Sequence, residues 1–281
     1  MKNSDKIIET VTKYLESSIH QWKLAGFVSE DNLIYTFGSD SKILGRAFEV
    51  LAKTVLEKAA QDLGYSLYES EKQTFYPDFW FELKNGERIA IDIKTTYRKG
   101  PNTAFGFTGG SYTSYLREST KNINGDYKDY IKHYILGIVY TRDKNASSGI
   151  YPLSELSNIT PAYNSVEAFI QEKYKICGTA KGSGNTDNIG TIKATTLEHF
   201  KKGTGPFSIL GQEAFEDYWK HYPKYKDPEE IRNNLYSNLP TYIEWVRKKD
   251  SDRADCLNEK FEAYIEFIST LRTNETIEIN I

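Results

Sequence analysis

A chain of 281 residues can bury a full hydrophobic core and, at about 100 to 200 residues per domain, forms one large domain or two small ones. Hydrophobic residues make up 39% and charged residues 27% of the chain, and no uncharged run is long enough for a membrane helix. No signal peptide opens the chain, so the expectation is a cytoplasmic protein with no membrane partner. The two cysteines, Cys177 and Cys256, lie in unrelated contexts, and His20, His133, His199 and His221 show no ligand spacing. Neither a disulfide framework, a thiolate site nor zinc is expected.

In chain order, the first strong pattern is an amphipathic helix over Ser41–Leu63, with Leu44, Phe48, Leu51, Val55, Leu56 and Ala59 recurring toward a core. Glu49 lies on it and, on helical spacing alone, is a solvated residue. Next come Tyr76, Pro77, Asp78 and Phe79, then a strand-like segment leading into an Asn85-Gly86 hairpin turn. Residues 88–94 alternate apolar and polar as a half-buried strand does, so Asp92 and Lys94 share one face while Ile91 and Ile93 take the other. The turn folds Asp78 back toward Asp92. Short Gly/Ser/Asn-rich stretches at 99–103, 145–149 and 178–190 read as surface loops, with no clean linker between domains. Residues 252–281 carry a helical stripe of Phe261, Tyr264, Ile265, Ile268 and Leu271, then alternating Ile277, Ile279 and Ile281. This extension packs on the domain's own surface, or serves a dimer or a bound partner.

Two carboxylates and one ammonium brought together suit a phosphodiester. Asp78 and Asp92 offer hard oxygen ligands for Mg²⁺, and Lys94 can stabilise developing negative charge or position an attacking water. The plainer reading makes Asp78 a turn residue and Asp92–Lys94 an exposed ion pair. The combination favours a metal-dependent nuclease. A second segment, Gly182, Ser183, Gly184, Asn185, Thr186, Asp187 and Asn188, is too glycine-rich for a helix. Its glycines permit close backbone approach, asparagine can pair bidentately with adenine, and a threonine methyl can meet that of thymine. A phosphate-cradling nest and an unliganded connection remain open on composition.

At this point the chain resembles the PD-(D/E)xK nucleases and, within them, the EcoRV-like type II restriction endonucleases. The likeness runs through residues 35–42, 76–79, 89–97, 112–114, 120–123, 137–142 and 182–190, over roughly the first 245 residues. The resemblance implies a mixed α/β fold with a five-stranded sheet flanked by helices, residues 1–250 as the endonuclease domain and 251–281 as an extension packed on it. It implies that Asp78, Asp92 and Lys94 are catalytic, with Asp78, Asp92 and Glu49 at the metal. It makes 182–190 a recognition loop in which Gly182, Gly184, Asn185, Thr186 and Asn188 read bases. Two departures stand inside the resemblance. Asp187 replaces a threonine, and Lys72, Gln73 and Thr74 replace Gln-Gln-Asn in a loop along the minor groove.

Softer DNA-backbone contacts are Lys42, Lys72, Gln73, Thr74, Thr95, Tyr97, Thr113, Ser114, Lys121 and Arg232, since such donors usually touch phosphates. Ile93 is expected near the scissile step, where it would sense deformability. A formal charge of −3 is compatible with DNA binding if a basic cleft opens in an acidic exterior. The expected function is a Mg²⁺-dependent type II restriction endonuclease cutting a short palindrome in double-stranded DNA, GATATC with blunt ends, as a twofold homodimer. Residues 27–37 supply a small dimerising hairpin by analogy, and a cognate DNA methyltransferase protects the host. A structure-selective junction nuclease, or a DNA-binding protein without catalysis, is the alternative.

Overall fold

The computed structural model describes residues 2–271 apart from 39, 183–186, 225 and 234, together with Ile277–Glu278. In α1 (Lys2–Ser18), Ile7, Val11 and Leu15 recur every four residues and are all buried. A hairpin of β1 (Gly26–Val28) and β2 (Leu33–Thr36) follows. α2 (Ser41–Leu63) has the expected bounds because Asp40 caps it, accepting from the N–H groups of Lys42 and Ile43. Leu44, Phe48, Val55, Leu56 and Ala59 are buried on it and Leu51 half-buried, so the periodic stripe is its core face.

The sheet that carries the candidate site is built from β3 (Ser66–Glu69), β4 (Phe79–Glu82) and β5 (Arg88–Arg98). After the short β6 (Thr108–Ser111) it continues with β7 (Tyr130–Arg142) and, past β8 (Ile150–Pro152), with β9 (Tyr163–Glu172). Strand order is β3-β4-β5-β7-β9, antiparallel except for the parallel β5–β7 pair. The β4–β5 turn is the expected one, with Gly86 at a φ of 84° that favours glycine. One sheet face, with Ile89, Ile91, Ile93, Leu136 and Ile138, packs on α1 and α2. The other presents Asp92 and Lys94, in register with Ile135 and Gly137 of β7. β8 joins β1 and β2 in a separate three-stranded sheet.

Covering that second face are α3 (Lys173–Ile176), β10 (Cys177–Lys181), β11 (Asn188–Thr191) and β12 (Lys193–Ala194). Beyond them run α4 (Glu198–Lys202), α5 (Phe207–Leu210), α6 (Gln212–His221), α7 (Glu229–Asn233), α8 (Leu239–Arg247) and α9 (Ser251–Leu271). β13 (Ile277–Glu278) then pairs antiparallel with β12. The expected helix-then-strand pattern of the extension is thus present. α9 is tied down by Tyr264 Oη donating to the Thr204 carbonyl at 3.1 Å and by Arg253 donating to Asp217 at 3.0 Å. Ile265 is the exception in its stripe, 39% exposed. Among the described residues no helix is long and apolar enough to cross a membrane.

His133 of β7 is buried under an aromatic wall, its Nδ1 sharing a hydrogen with Tyr76 Oη at 2.8 Å. Burial pushes the imidazole down to about 3. The folded value lies below the unfolded one of about 6.5, so the stability held by the neutral ring is complete above that pH and drains as pH falls from about 6.5 toward 3. The melting temperature of the wild-type protein should therefore fall more steeply from pH 6.5 to 4 than that of His133→Gln. Parallel melting curves by circular dichroism would show that the ring does not govern acid sensitivity.

Candidate active site

Asp92 and Lys94 project together from the middle of β5 because residues two apart on a strand share a face. Asp78 stands just before β4, and the β4–β5 hairpin brings it beside β5, where its Oδ2 accepts the Ile93 N–H at 2.7 Å. Lys94 Nζ lies 2.8 Å from Asp92 Oδ2. The three residues line a cleft of about 170 Å³ together with Gln73, Thr74, Ser114 and Tyr115. Asp92 is only 4% exposed, and its Oδ2, despite the nearby ammonium, accepts no hydrogen bond of ordinary geometry. Burial and then the Asp92 charge push the Asp78 carboxyl up to about 7, against the pull of Lys94 and the Ile93 N–H. Burial alone would lower the Lys94 ammonium, but Asp92 and Asp78 overcome it and hold the group above the ordinary lysine range. The cluster is a desolvated anionic pair with one resident cation.

A second cleft of about 550 Å³ is lined by Thr95, Thr96 and Tyr97 of β5, by β10 residues and by Gly182. Lys99, Lys181 and Lys193 line it and, among the described residues, no carboxylate does, which matches the expected basic cleft. β10 and β11 form an antiparallel hairpin whose base is closed by the Gly182 N–H donating to the Asn188 carbonyl at 2.8 Å. β11 pairs on its other side with β6, Asn188 opposite Ser111. Gly184, Asn185 and Thr186 fall outside the described residues. At the foot of this hairpin, Tyr112 Oη reaches Asp187 Oδ1 at 2.9 Å, and the Tyr112 N–H donates to the Asp187 carbonyl at 3.1 Å.

Family comparison adds to this geometry. A profile of the family described as "Restriction endonuclease EcoRV" matches residues 18–247. The curated "Type II restriction enzyme EcoRV" of Escherichia coli is 38% identical over 230 residues, covering 80% of this chain and 91% of that protein. The chain belongs to the EcoRV restriction endonuclease family. Among solved structures, "NlaIV restriction endonuclease" is 12% identical with a TM-score of 0.37, covering 99% of this chain and 92% of its own, a likeness too loose to carry an argument. As a member of the EcoRV family the protein is a type II site-specific deoxyribonuclease, and its substrate is DNA.

Within this EcoRV-family fold, the expected site residues do not all converge. Glu49 sits on α2 with its carboxylate 2.6 Å from Arg46, and its charge raises both Asp78 and Lys94. Among the described residues no three Asp, Glu, His or Cys side chains close on one point, so Glu49 does not complete a ready-made metal cage. The Ile93 side chain is a correction. It turns into the core against α1 and α2, 5% exposed, because it occupies the strand face opposite Asp92, and only its backbone N–H reaches the site. Gln73, Thr74 and buried Ser114 line the catalytic cleft, and Thr95 and Tyr97 the larger one. Thr113 bonds Ser111 Oγ, Lys72 covers the Phe75 ring at 4.5 Å, and Lys121 pairs with Glu118 at 3.0 Å. Lys42 and Arg232 are exposed on α2 and α7 and line neither cleft.

Asp187 faces inward: it is the acceptor that moors the hairpin to Tyr112, with Lys181 Nζ at 3.9 Å from the same oxygen. Its Oδ1 is therefore engaged within the protein, by Tyr112 and Lys181. Removing a hydrogen bond to a charged group costs about 1.5 to 3 kcal/mol. Asp187→Ala should lower kcat/KM on cognate DNA about tenfold, whereas Asp187→Asn, which keeps an acceptor, should stay within about threefold of wild-type. An unaffected alanine variant would show that Asp187 does not moor the loop. Sequence reading missed Tyr76, Tyr115 and Asn122 as cleft lining and Lys173 beneath it. Aromatic residues in turns carry no periodic signature, and only the fold brings them to β5.

Proposed function

We propose that this protein cleaves a short palindrome in duplex DNA, GATATC with blunt ends, in a reaction dependent on Mg²⁺. The observation that supports it most is the meeting of Asp78, Asp92 and Lys94 in one cleft, beside a lysine-lined groove that the recognition hairpin borders. Asp78 and Asp92 would hold the cation. The buried Asp92 carboxylate, balanced by the Lys94 ammonium 2.8 Å from its Oδ2, and the Asp78 carboxylate beside it are the hard oxygen donors such an ion takes. A bound divalent cation supplies polarisation of a phosphoryl oxygen and acidifies a water. Lys94 donates to the developing negative charge or holds the attacking water, and Asp92 keeps its ammonium charged and aimed. Base reading is assigned to Gly182, Gly184, Asn185, Thr186 and Asn188, and host DNA would be shielded by a cognate methyltransferase.

Digestion of a sequenced plasmid with Mg²⁺, with an EDTA control and sequenced ends, tests the reading. Blunt, metal-dependent cuts at GATATC are expected; discrete cuts at another palindrome would remove the proposed specificity, and cutting only at branched DNA would replace the function by a junction nuclease.

Two equivalent strands of a palindrome call for two equivalent active sites. Phe27, Val28 and Tyr35 of the β1–β2 hairpin are 56%, 59% and 44% exposed, and Ile150 of β8 is 58% exposed on the same small sheet. So much exposed apolar surface on one small sheet supports a homodimer joined through it. Phe27→Asp with Val28→Asp should shift the protein from dimer to monomer in sedimentation and remove double-strand cleavage. A variant that sediments as wild-type would place the interface elsewhere.

A further inference from the structure

Lys173 is 3% exposed, at the junction of β9 and α3 behind the catalytic cleft. Burying an ammonium is costly unless it is compensated, and the adjacent acid does not do so: Glu172 is engaged by Lys132 at 2.7 Å and by Lys175. Lys173 Nζ instead donates to Tyr115 Oη at 2.7 Å and lies 4.8 and 5.1 Å from the centres of the Tyr76 and Tyr115 rings. The carboxylate acting most strongly on it is Asp92. Tyr115 cannot drift, since its ring stacks between Tyr76 at 4.3 Å and Tyr127 at 5.5 Å, and Tyr127 stacks on His133 at 4.5 Å.

Gly110 shows what this arrangement leaves open. It has a φ of +86°, and a Cβ there would lie 3.2 Å from Tyr115 Oη, 3.6 Å from Lys173 Nζ and 3.9 Å from Asp92 Oδ2. A hydroxyl, an ammonium and a carboxylate oxygen thus converge beside a residue with no side chain, and Gly110, Tyr115 and Asp92 all line the catalytic cleft. Because Tyr115 Oη already accepts from Lys173, its own hydrogen must be directed elsewhere, and accepting from a cation makes the phenol a stronger donor.

We infer that the Tyr115 hydroxyl is a further catalytic donor, hydrogen-bonding a non-bridging oxygen of the phosphodiester being cut, and that Lys173 is the positioning residue that primes and orients it. The inference rests on the endonuclease reading above. The donor is pre-organised by the stacked rings that hold it, and loss of a single such donor typically costs about 10² to 10³ in rate.

The test compares wild-type, Tyr115→Phe, Lys173→Met and the double variant on a duplex holding the cognate site. Tyr115→Phe should lower single-turnover cleavage at least about tenfold while the Kd for the same duplex in Ca²⁺, read by fluorescence anisotropy, stays within about twofold. Lys173→Met should give a similar loss, and the double variant should be little slower than either single one, as expected of two groups acting as one. A phosphorothioate at the scissile position should slow wild-type more than Tyr115→Phe for one of its two diastereomers. Unchanged cleavage in Tyr115→Phe, or identical thio effects in both proteins, overturns the proposal. Should Lys173→Met fail to fold, the phenylalanine variant, which loses one oxygen atom, decides alone. Wild-type protein that cuts no DNA would remove the endonuclease reading itself, whereas wild-type and Tyr115→Phe cutting equally would remove only the role of Tyr115.

Discussion

Asp92→Asn and Lys94→Met are each expected to cleave DNA about a thousandfold more slowly than wild-type, with the duplex still bound. Both replacements keep the shape of the side chain and remove its charge, which separates the chemistry from packing. The pair is tightly interdependent, with 2.8 Å between Nζ and Oδ2 and Asp92 almost fully buried, so removing either charge leaves its partner poorly compensated. Asp78→Asn should be equally inactive but behave differently as a folded protein. The Asp78 carboxyl is raised to about 7, above its unfolded value of about 3.9, so stability associated with its protonated form is full below pH 3.9 and is lost as pH rises through 7. In metal-free buffer Asp78→Asn should therefore gain melting temperature over wild-type at pH 8, and the gain should shrink toward pH 5. Scanning calorimetry with EDTA measures this directly, and an asparagine variant that melts lower at pH 8 would contradict the strained carboxylate pair. Full cleavage by any of the three would remove that residue from the catalytic set.

Gly137→Ala carries the largest expected effect on folding. Gly137 lies in β7 between Lys94 of β5 and Phe169 of β9, and an added Cβ would stand 2.1 Å from Phe169 Cε1 and 2.6 Å from its Cζ. The ring has no room to retreat, since Phe107 and Phe200 pack on it with centroids at 5.5 and 5.4 Å. Overpacking of this kind costs about 1 to 3 kcal/mol, and so close an approach belongs at the upper end. At an unfolding entropy of about 2.1 cal/mol/K per residue, a loss of about 3 kcal/mol should lower the melting temperature of this 281-residue chain by about 5 °C. Gly137→Ala combined with Phe169→Leu should recover part of the loss. A single variant that melts as wild-type would mean that β7 and β9 separate more easily than their packing indicates.

How much was legible beforehand depended on periodicity. The period-two alternation of 88–94 placed Asp92 and Lys94 on one face, and Asn85-Gly86 placed the turn that returns Asp78 to them. The helix over Ser41–Leu63 was equally readable, because its apolar stripe is a local signal. Lys173 was not, since its environment comes from Tyr76 and Tyr115, distant in sequence and joined only by the fold. Ile93 was misjudged because the strand face that carries the acids excludes its neighbours. The direction of Asp187 could not be read without Tyr112, 75 residues earlier.

β6 is four residues long, yet it has two neighbours of different kinds. Its Ser111 is the register partner of Asn188 in the β10–β11 hairpin, while Gly110 and Ser111 form part of the wall around Asp92. Any displacement of that hairpin is therefore passed through one short strand to the side of the cleft that holds Asp92 and Lys94.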